Sequence, residues 1–106
     1  MSATRKYSGS RTIDGIKVLA EGRPLDARYD LEKFSSGGFE WTYEGAGPKQ
    51  LALALLADYL NDDEAAIRLC DPFMRRIVSN LENDWELTGA DIDEALEQIE
   101  SGVGKG

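Results

Sequence analysis

Histidine is absent from this chain of 106 residues, and cysteine occurs once, at Cys70. These absences exclude Ser-His-Asp and Cys-His nucleophilic centres, histidine acid–base chemistry and the usual Cys/His zinc sites. A single cysteine also excludes an intramolecular disulfide. Long apolar runs are missing too. The longest, Leu51-Ala52-Leu53-Ala54-Leu55-Leu56-Ala57, has seven residues, against the roughly 20 that span a bilayer. No charged-then-apolar secretory segment opens the chain, so the expectation is a cytoplasmic protein with no membrane partner.

Basic residues are absent from Ile77 to Gly104, a stretch that holds eight carboxylates: Glu82, Asp84, Glu86, Asp91, Asp93, Glu94, Glu97 and Glu100. Residues 1–76 nearly balance, with eleven basic and twelve acidic side chains, so this stretch sets the formal net charge of −8. Such asymmetry bears on partners and solubility rather than on fold. Carboxylates can hold magnesium or calcium. Asp62-Asp63-Glu64, however, lacks the alternating ligands and central glycine of a calcium loop. It reads as a helix start, where acidic groups offset the helix dipole. No metal or cofactor is expected.

With 42% hydrophobic and 30% charged residues the composition is that of one small globular domain. The expected organisation is a single domain over 5–100, between a flexible N-terminus (1–4) and a flexible Gly-rich tail (101–106). Ile16 to Leu19 is a brief β-type run, Glu21-Gly22-Arg23-Pro24 a turn, and Pro24 to Asp30 a candidate return strand. Phe39-Glu40-Trp41-Thr42-Tyr43-Glu44 alternates aromatic and polar residues, which predicts a half-buried strand.

The period then changes. Gly45-Ala46-Gly47-Pro48 leads into a helix reaching Leu60, with Pro48 at its first position. That helix is apolar nearly all round, and Leu53 and Leu60 widen the stripe enough to predict a homodimer or a buried partner contact there. A second helix is expected from about Asp63 to Leu81, kinked or divided by Pro72 near Cys70–Asp71. Trp85-Glu86-Leu87 reads as a short extended connector. Thr88 and Asp91 resemble a capping box opening a last helix, Gly89 to Glu100. On it Ile92, Ala95, Leu96 and Ile99 share one arc, opposite Asp93, Glu94, Glu97 and Glu100. The predicted fold is α+β: an N-terminal antiparallel sheet of three or four short strands with three C-terminal helices packed on one face. Trp41, Leu55, Phe73, Ile77 and Trp85 are the expected core.

The run from Gly38 to Ala57 joins an aromatic segment, a G-x-G-P turn (Gly45-Ala46-Gly47-Pro48) and Gln50-Leu51-Ala52-Leu53-Ala54-Leu55-Leu56 opening a helix. This pattern resembles the uncharacterised family known as domain of unknown function 6166. Arg23-Pro24-Leu25, Phe73 and Trp85 fall at its weaker landmarks, so the resemblance spans about residues 5–100. Thr42 stands where the pattern leads one to expect glycine. The family carries no assigned activity, and no catalytic residue transfers. The resemblance implies cargo of phages, plasmids and their hosts.

Each candidate site has an ordinary structural counterpart. Gly45-Ala46-Gly47-Pro48-Lys49 can cradle an anion through free N–H groups, but it is not a P-loop and Pro48 removes a donor. A tight connection using glycine's conformational freedom explains it as well. Phe39, Trp41 and Tyr43 can stack bases, but Glu40, Glu44 and the negative charge oppose direct nucleic-acid binding. Arg68, Arg75 and Arg76 on the second helix, and Arg11, Arg23 and Arg28 near the sheet, form basic clusters that either receive an anion in a groove or pair with neighbouring carboxylates. The acidic arc spans roughly 10 Å from Asp93 to Glu100 at about 1.5 Å per residue, the scale of successive phosphates. Ordinary solvated helix faces mix signs; this one does not.

The functional expectation is therefore a small acidic, non-enzymatic interaction protein. It would be a mobile-element inhibitor of the anti-CRISPR or anti-restriction kind, engaging a basic nucleic-acid-binding protein. Its contact residues would be Asp91, Asp93, Glu94, Glu97 and Glu100, with Glu82, Asp84 and Glu86 outside them. The alternative is a small-molecule or anion-binding domain using the Gly45–Lys49 turn. An enzyme would need Glu40 and Glu44 as acid and base, and nothing in the sequence pairs them.

Overall fold

A computed structural model describes residues 4–101. The expected flexible segments lie outside the described residues, apart from Thr4, in a turn, and Ser101, which closes the last helix. The chain runs β1 (Lys6–Thr12), β2 (Gly15–Ala20), β3 (Arg23–Pro24), α1 (Ala46–Leu60), α2 (Asp63–Arg76), a 3-10 turn (Val78–Asn80), β4 (Trp85–Thr88) and α3 (Gly89–Ser101). The strands form one antiparallel sheet in the order β3-β2-β1-β4. This is the expected α+β class.

Register fixes which side of the sheet is buried. Tyr7 pairs with Ala20 and Leu87, and Gly9 with Val18 and Trp85. All six are buried, so alternate positions of three strands face the same core. Two hairpins set this register. Thr12 and Gly15 close the first through the Thr12 hydroxyl, which donates to the Gly15 carbonyl (2.8 Å) and accepts from the Asp14 N–H (3.1 Å). The second turns on Glu21 and Gly22, both with positive φ (52° and 79°), as a tight two-residue hairpin requires. Glu21 is held there by Lys6, whose N–H donates to the Glu21 carboxylate (2.7 Å) and whose carbonyl accepts the Glu21 N–H (2.9 Å).

Helix α1 is the centre of the fold. Leu51 to Ala57 are all buried, which is why its sequence is apolar on every side. Asn61 ends it in the left-handed conformation, donating its N–H to Ala57 (3.2 Å). Asp62 then caps α2 by accepting from the Ala65 N–H (3.1 Å), with Asp63 and Glu64 in the first turn and Arg75 and Arg76 in the last. The acidic triplet is thus the helix start anticipated. Helix α2 packs along α1, and α3 lies against α2 and β4.

Several expectations need correction. Residues 39–44 form no strand, and of Pro24 to Asp30 only Pro24 is in one. The connector at Trp85–Leu87 is instead β4. Helix α2 runs undivided through Pro72 and stops at Arg76, short of Leu81. Pro48 is the third residue of α1, where an N–H is still spare. Leu53 is fully enclosed within the monomer and so is not the partner contact expected of it, while Leu60 is half-buried against the core. Trp41, Leu55, Phe73 and Trp85 are core residues as expected; Ile77 is half-buried at its margin.

The 21 residues from Leu25 to Gly45 contain no helix or strand, a length uncommon for structureless connections in small domains. Gln50 organises them. Its fully buried side chain accepts from the N–H groups of Phe34 (2.7 Å) and Ser35 (3.1 Å) and donates to the carbonyls of Ala27 (2.8 Å) and Glu32 (3.0 Å). The amide's two donors and its acceptor oxygen are all engaged. Leu25, Leu31, Phe34 and Phe39 then lean on the core, with Trp41 buried among them.

Candidate functional site

The acidic stretch folds into consecutive elements. Glu82 and Asp84 enter β4, Glu86 occupies an outward position on it, and Asp91, Asp93, Glu94, Glu97 and Glu100 lie on α3; all eight are exposed. Ile92, Ala95 and Leu96 are buried on the opposite side of α3, so the amphipathic division legible in the sequence holds in the structure.

Two of the eight carboxylates have local duties. Asp91 accepts the Thr88 N–H (2.9 Å), while the Thr88 hydroxyl accepts the Asp91 N–H (3.2 Å): the reciprocal capping box, with Asp in the usual Glu position. Asp93 accepts from the Tyr59 hydroxyl (2.8 Å), tying α3 to α1. Burial, then this hydrogen bond, pushes the Tyr59 pKa up to about 12. The remaining six, Glu82, Asp84, Glu86, Glu94, Glu97 and Glu100, take part in no hydrogen bond or ion pair with another described side chain. Seven ion pairs among the described residues all draw on carboxylates of the first 76 residues. Beside the acidic face an open groove of about 390 Å³ has Ile77, Leu87 and Ala95 in its lining, with Asp91 and Glu94 beside them. Charge and apolar surface therefore adjoin.

The Gly45–Lys49 turn is committed to packing. Gly47 is buried, and a Cβ on it would lie 2.7 Å from Cβ of Glu40. Pro48 is buried too, and Lys49 lies over the Phe34 ring (4.5 Å) within 3.7 Å of Asp71. Glu40 and Glu44, the conceivable acid and base, are separately engaged: Glu40 by Arg11 (2.8 Å), Glu44 by Arg75 (3.5 Å). Of the three aromatics at 39–43, Trp41 is fully buried, Phe39 half-buried and Tyr43 50% exposed, so they make no continuous stacking platform. Arg11 stacks on Trp41 (4.6 Å) and donates to its carbonyl (3.1 Å), pinning this segment to β1. Among the described residues no three metal-ligating side chains converge, and no helix is long and apolar enough to cross a membrane.

One polar cluster escaped sequence inspection. Arg5 donates through Nε (2.7 Å) and Nη2 (3.2 Å) to Asp58 of α1, and the buried Tyr7 hydroxyl donates to the same carboxylate (2.7 Å). Burial works to raise the Asp58 pKa, but the hydrogen bonds from Arg5 and Tyr7 outweigh it and hold the group below its ordinary value. Burial and the bond to Asp58 raise that of Tyr7. The partners are 51 and 53 positions apart, and no local spacing advertises them. Gln50 did carry a signal: a lone amide at the head of a wholly apolar run is a polar group that burial must satisfy.

This is a small α+β domain that carries an unpaired acidic surface on its last strand and helix. The chain belongs to the family of unknown function DUF6166, which matches residues 7–98. Searches among curated proteins and among solved structures found no match.

Proposed function

We propose that this protein is a non-enzymatic interaction protein whose acidic C-terminal surface engages the basic nucleic-acid-binding site of a partner protein. The observation that carries this reading is the set of six exposed carboxylates on consecutive elements that no described cation neutralises. An uncompensated field of this kind steers association with a basic groove and makes competition with phosphate backbones the natural outcome. The apolar groove beside Asp91 and Glu94 supplies contact area that charge alone lacks. With a net charge of −8, direct nucleic-acid binding is disfavoured. Inhibition of a host CRISPR or restriction system by a mobile element is the biological setting that fits.

The test uses the residues with no structural duty. A variant carrying Glu82→Gln, Asp84→Asn, Glu94→Gln, Glu97→Gln and Glu100→Gln leaves both Asp91 and Asp93 in place. A partner captured from host lysate by the parent should bind this variant at least about tenfold more weakly, mainly through a slower on-rate, and salt should weaken the parent complex far more than the variant's. Equal affinity, or salt-independent binding by the parent, would reduce the acidic face to solvated surface.

A further inference from the structure

Away from the acidic surface, Arg5, Arg23 and Arg28 converge on an open cleft of about 410 Å³ whose lining includes Ala20, Leu25 and Ala54. Two of the three guanidiniums are fixed. Arg5 is held by Asp58. Arg28 is clamped between Asp30 (3.0 Å) and Asp63 (3.2 Å), on a backbone with φ of 57°, a conformation a non-glycine side chain adopts at a cost. Asp26 stabilises that turn by accepting the Arg28 N–H (2.9 Å). Each fixed guanidinium uses Nε and Nη2 and makes no hydrogen bond through Nη1 among the described residues. Arg23, carried to the cleft by the Glu21–Gly22 turn, is exposed, and its side chain has no hydrogen-bond or ion-pair partner among the described residues.

Charge and shape together specify what such a cleft takes. The lining holds three arginines and two aspartates, Asp26 and Asp58, and Asp30 and Asp63 clamp Arg28 from beside it, so Arg5 and Arg28 are already neutralised and the cation free to meet a ligand is Arg23. The net charge of −8 repels a polyanion, whereas an ion of one or two charges needs only Arg23 and the donors that the two fixed guanidiniums leave unused. Guanidinium donors match the paired oxygens of a carboxylate or phosphate. Ala20, Leu25 and Ala54 offer apolar contact to whatever bears that head. We infer that the cleft is a binding site for a small organic oxyanion, a carboxylate or phosphate with a short apolar body, captured by Arg23 against the pre-positioned Arg5 and Arg28. This inference is independent of the acidic surface and survives the failure of that reading.

The test is an amide chemical-shift titration of the full chain with hexanoate, acetate, hexyl phosphate and inorganic phosphate. Saturable shifts at residues 20–28 and at Ala54, stronger for hexanoate than acetate or for hexyl phosphate than phosphate, are expected; the tighter head group identifies the oxyanion. Arg23→Gln should weaken the best probe at least about tenfold with an unchanged melting temperature, and Arg23→Lys should fall between, because an ammonium lacks the planar fork. No saturable shift in the cleft up to about 50 mM, where even very weak binding registers, would overturn the inference. So would identical titrations of the parent and Arg23→Gln.

Discussion

The indole of Trp85 lies directly against the α-carbon of Gly9 across the β1–β4 pair, so close that a Cβ on Gly9 would fall 2.3 Å from Cε2 of the ring. The ring continues to Trp41, edge to face at 5.7 Å, which joins the sheet to the long irregular segment. Gly9→Ala must displace this ring, and over-packing of this kind costs about 1–3 kcal/mol. Chemical denaturation with tryptophan fluorescence reads both the loss of stability and the shift of the indole environment. Parent-like stability and emission would show the ring to be free to move.

Thr42 sits at φ of 80°, in the region that favours glycine and penalises a β-branched residue most. The family pattern leads one to expect glycine at this position, and the backbone shows why. Thr42→Gly should stabilise the protein by about 0.5–1.5 kcal/mol, the relieved strain exceeding the added freedom of the unfolded chain. Thr42→Ala should gain less. A destabilised glycine variant would mean that the Thr42 hydroxyl, which donates to the Trp41 carbonyl and faces Arg11 at 3.5 Å, outweighs the strain.

The same segment marks where sequence and structure part. Helices α1 and α3, the helix start at Asp62–Glu64 and the Thr88–Asp91 box were legible because each rests on local spacing. The alternation at Phe39–Glu44 suggested a strand, yet β1, the strand to which Arg11 ties this segment, offers it no edge. Both sides of β1 are taken: β2 pairs with one through a hairpin, and β4 takes the other, where Gly9 gives Trp85 a seat. Among the described residues, 39–44 are left with a single backbone–backbone bond, from the Thr42 N–H to the Val78 carbonyl (3.2 Å), and with Gln50 holding the chain before them. Competition for an edge is decided by tertiary contacts, and a three-residue alternation at Trp85–Leu87 was too short to announce the winner. The acidic face was legible residue by residue. The arginine cleft was only half so, since Arg5 reaches it through Asp58, far along the chain.

Stability should fall at both ends of the pH scale, for opposite reasons. Asp58 has a lowered pKa, so its contribution is present above the ordinary carboxylate value, about 4, and is lost as pH falls through the folded value. Tyr59, at about 12, and Tyr7, also raised, contribute fully below the ordinary phenol value, about 10, and lose that contribution as pH rises beyond it. Urea midpoints across pH should show both limbs. Tyr7→Phe should lower stability by about 1–2 kcal/mol at neutral pH through its lost bond to a carboxylate, and together with Tyr59→Phe it should flatten the alkaline limb. An unchanged alkaline limb in the double variant would assign it to other groups.

Gln50 offers the sharpest test of how the irregular segment is held. Gln50→Leu nearly preserves volume and suits an apolar helix, so packing alone predicts tolerance. Hydrogen bonding predicts the reverse, because Phe34 and Ser35 lose their acceptor while Ala27 and Glu32 lose their donor. Each buried polar group left unmet costs about 1–3 kcal/mol, and partial access of water to the loosened segment brings the sum to about 2–4 kcal/mol. Gln50→Glu should restore little, since it keeps the acceptor but sets a carboxylate against two carbonyls. Hydrogen exchange separates the two views. Protection should fall first between Leu25 and Gly45 while α1 and α2 stay protected, because the amide's four bonds all go to that segment. A uniform loss across the chain would place the role of Gln50 in the core as a whole instead.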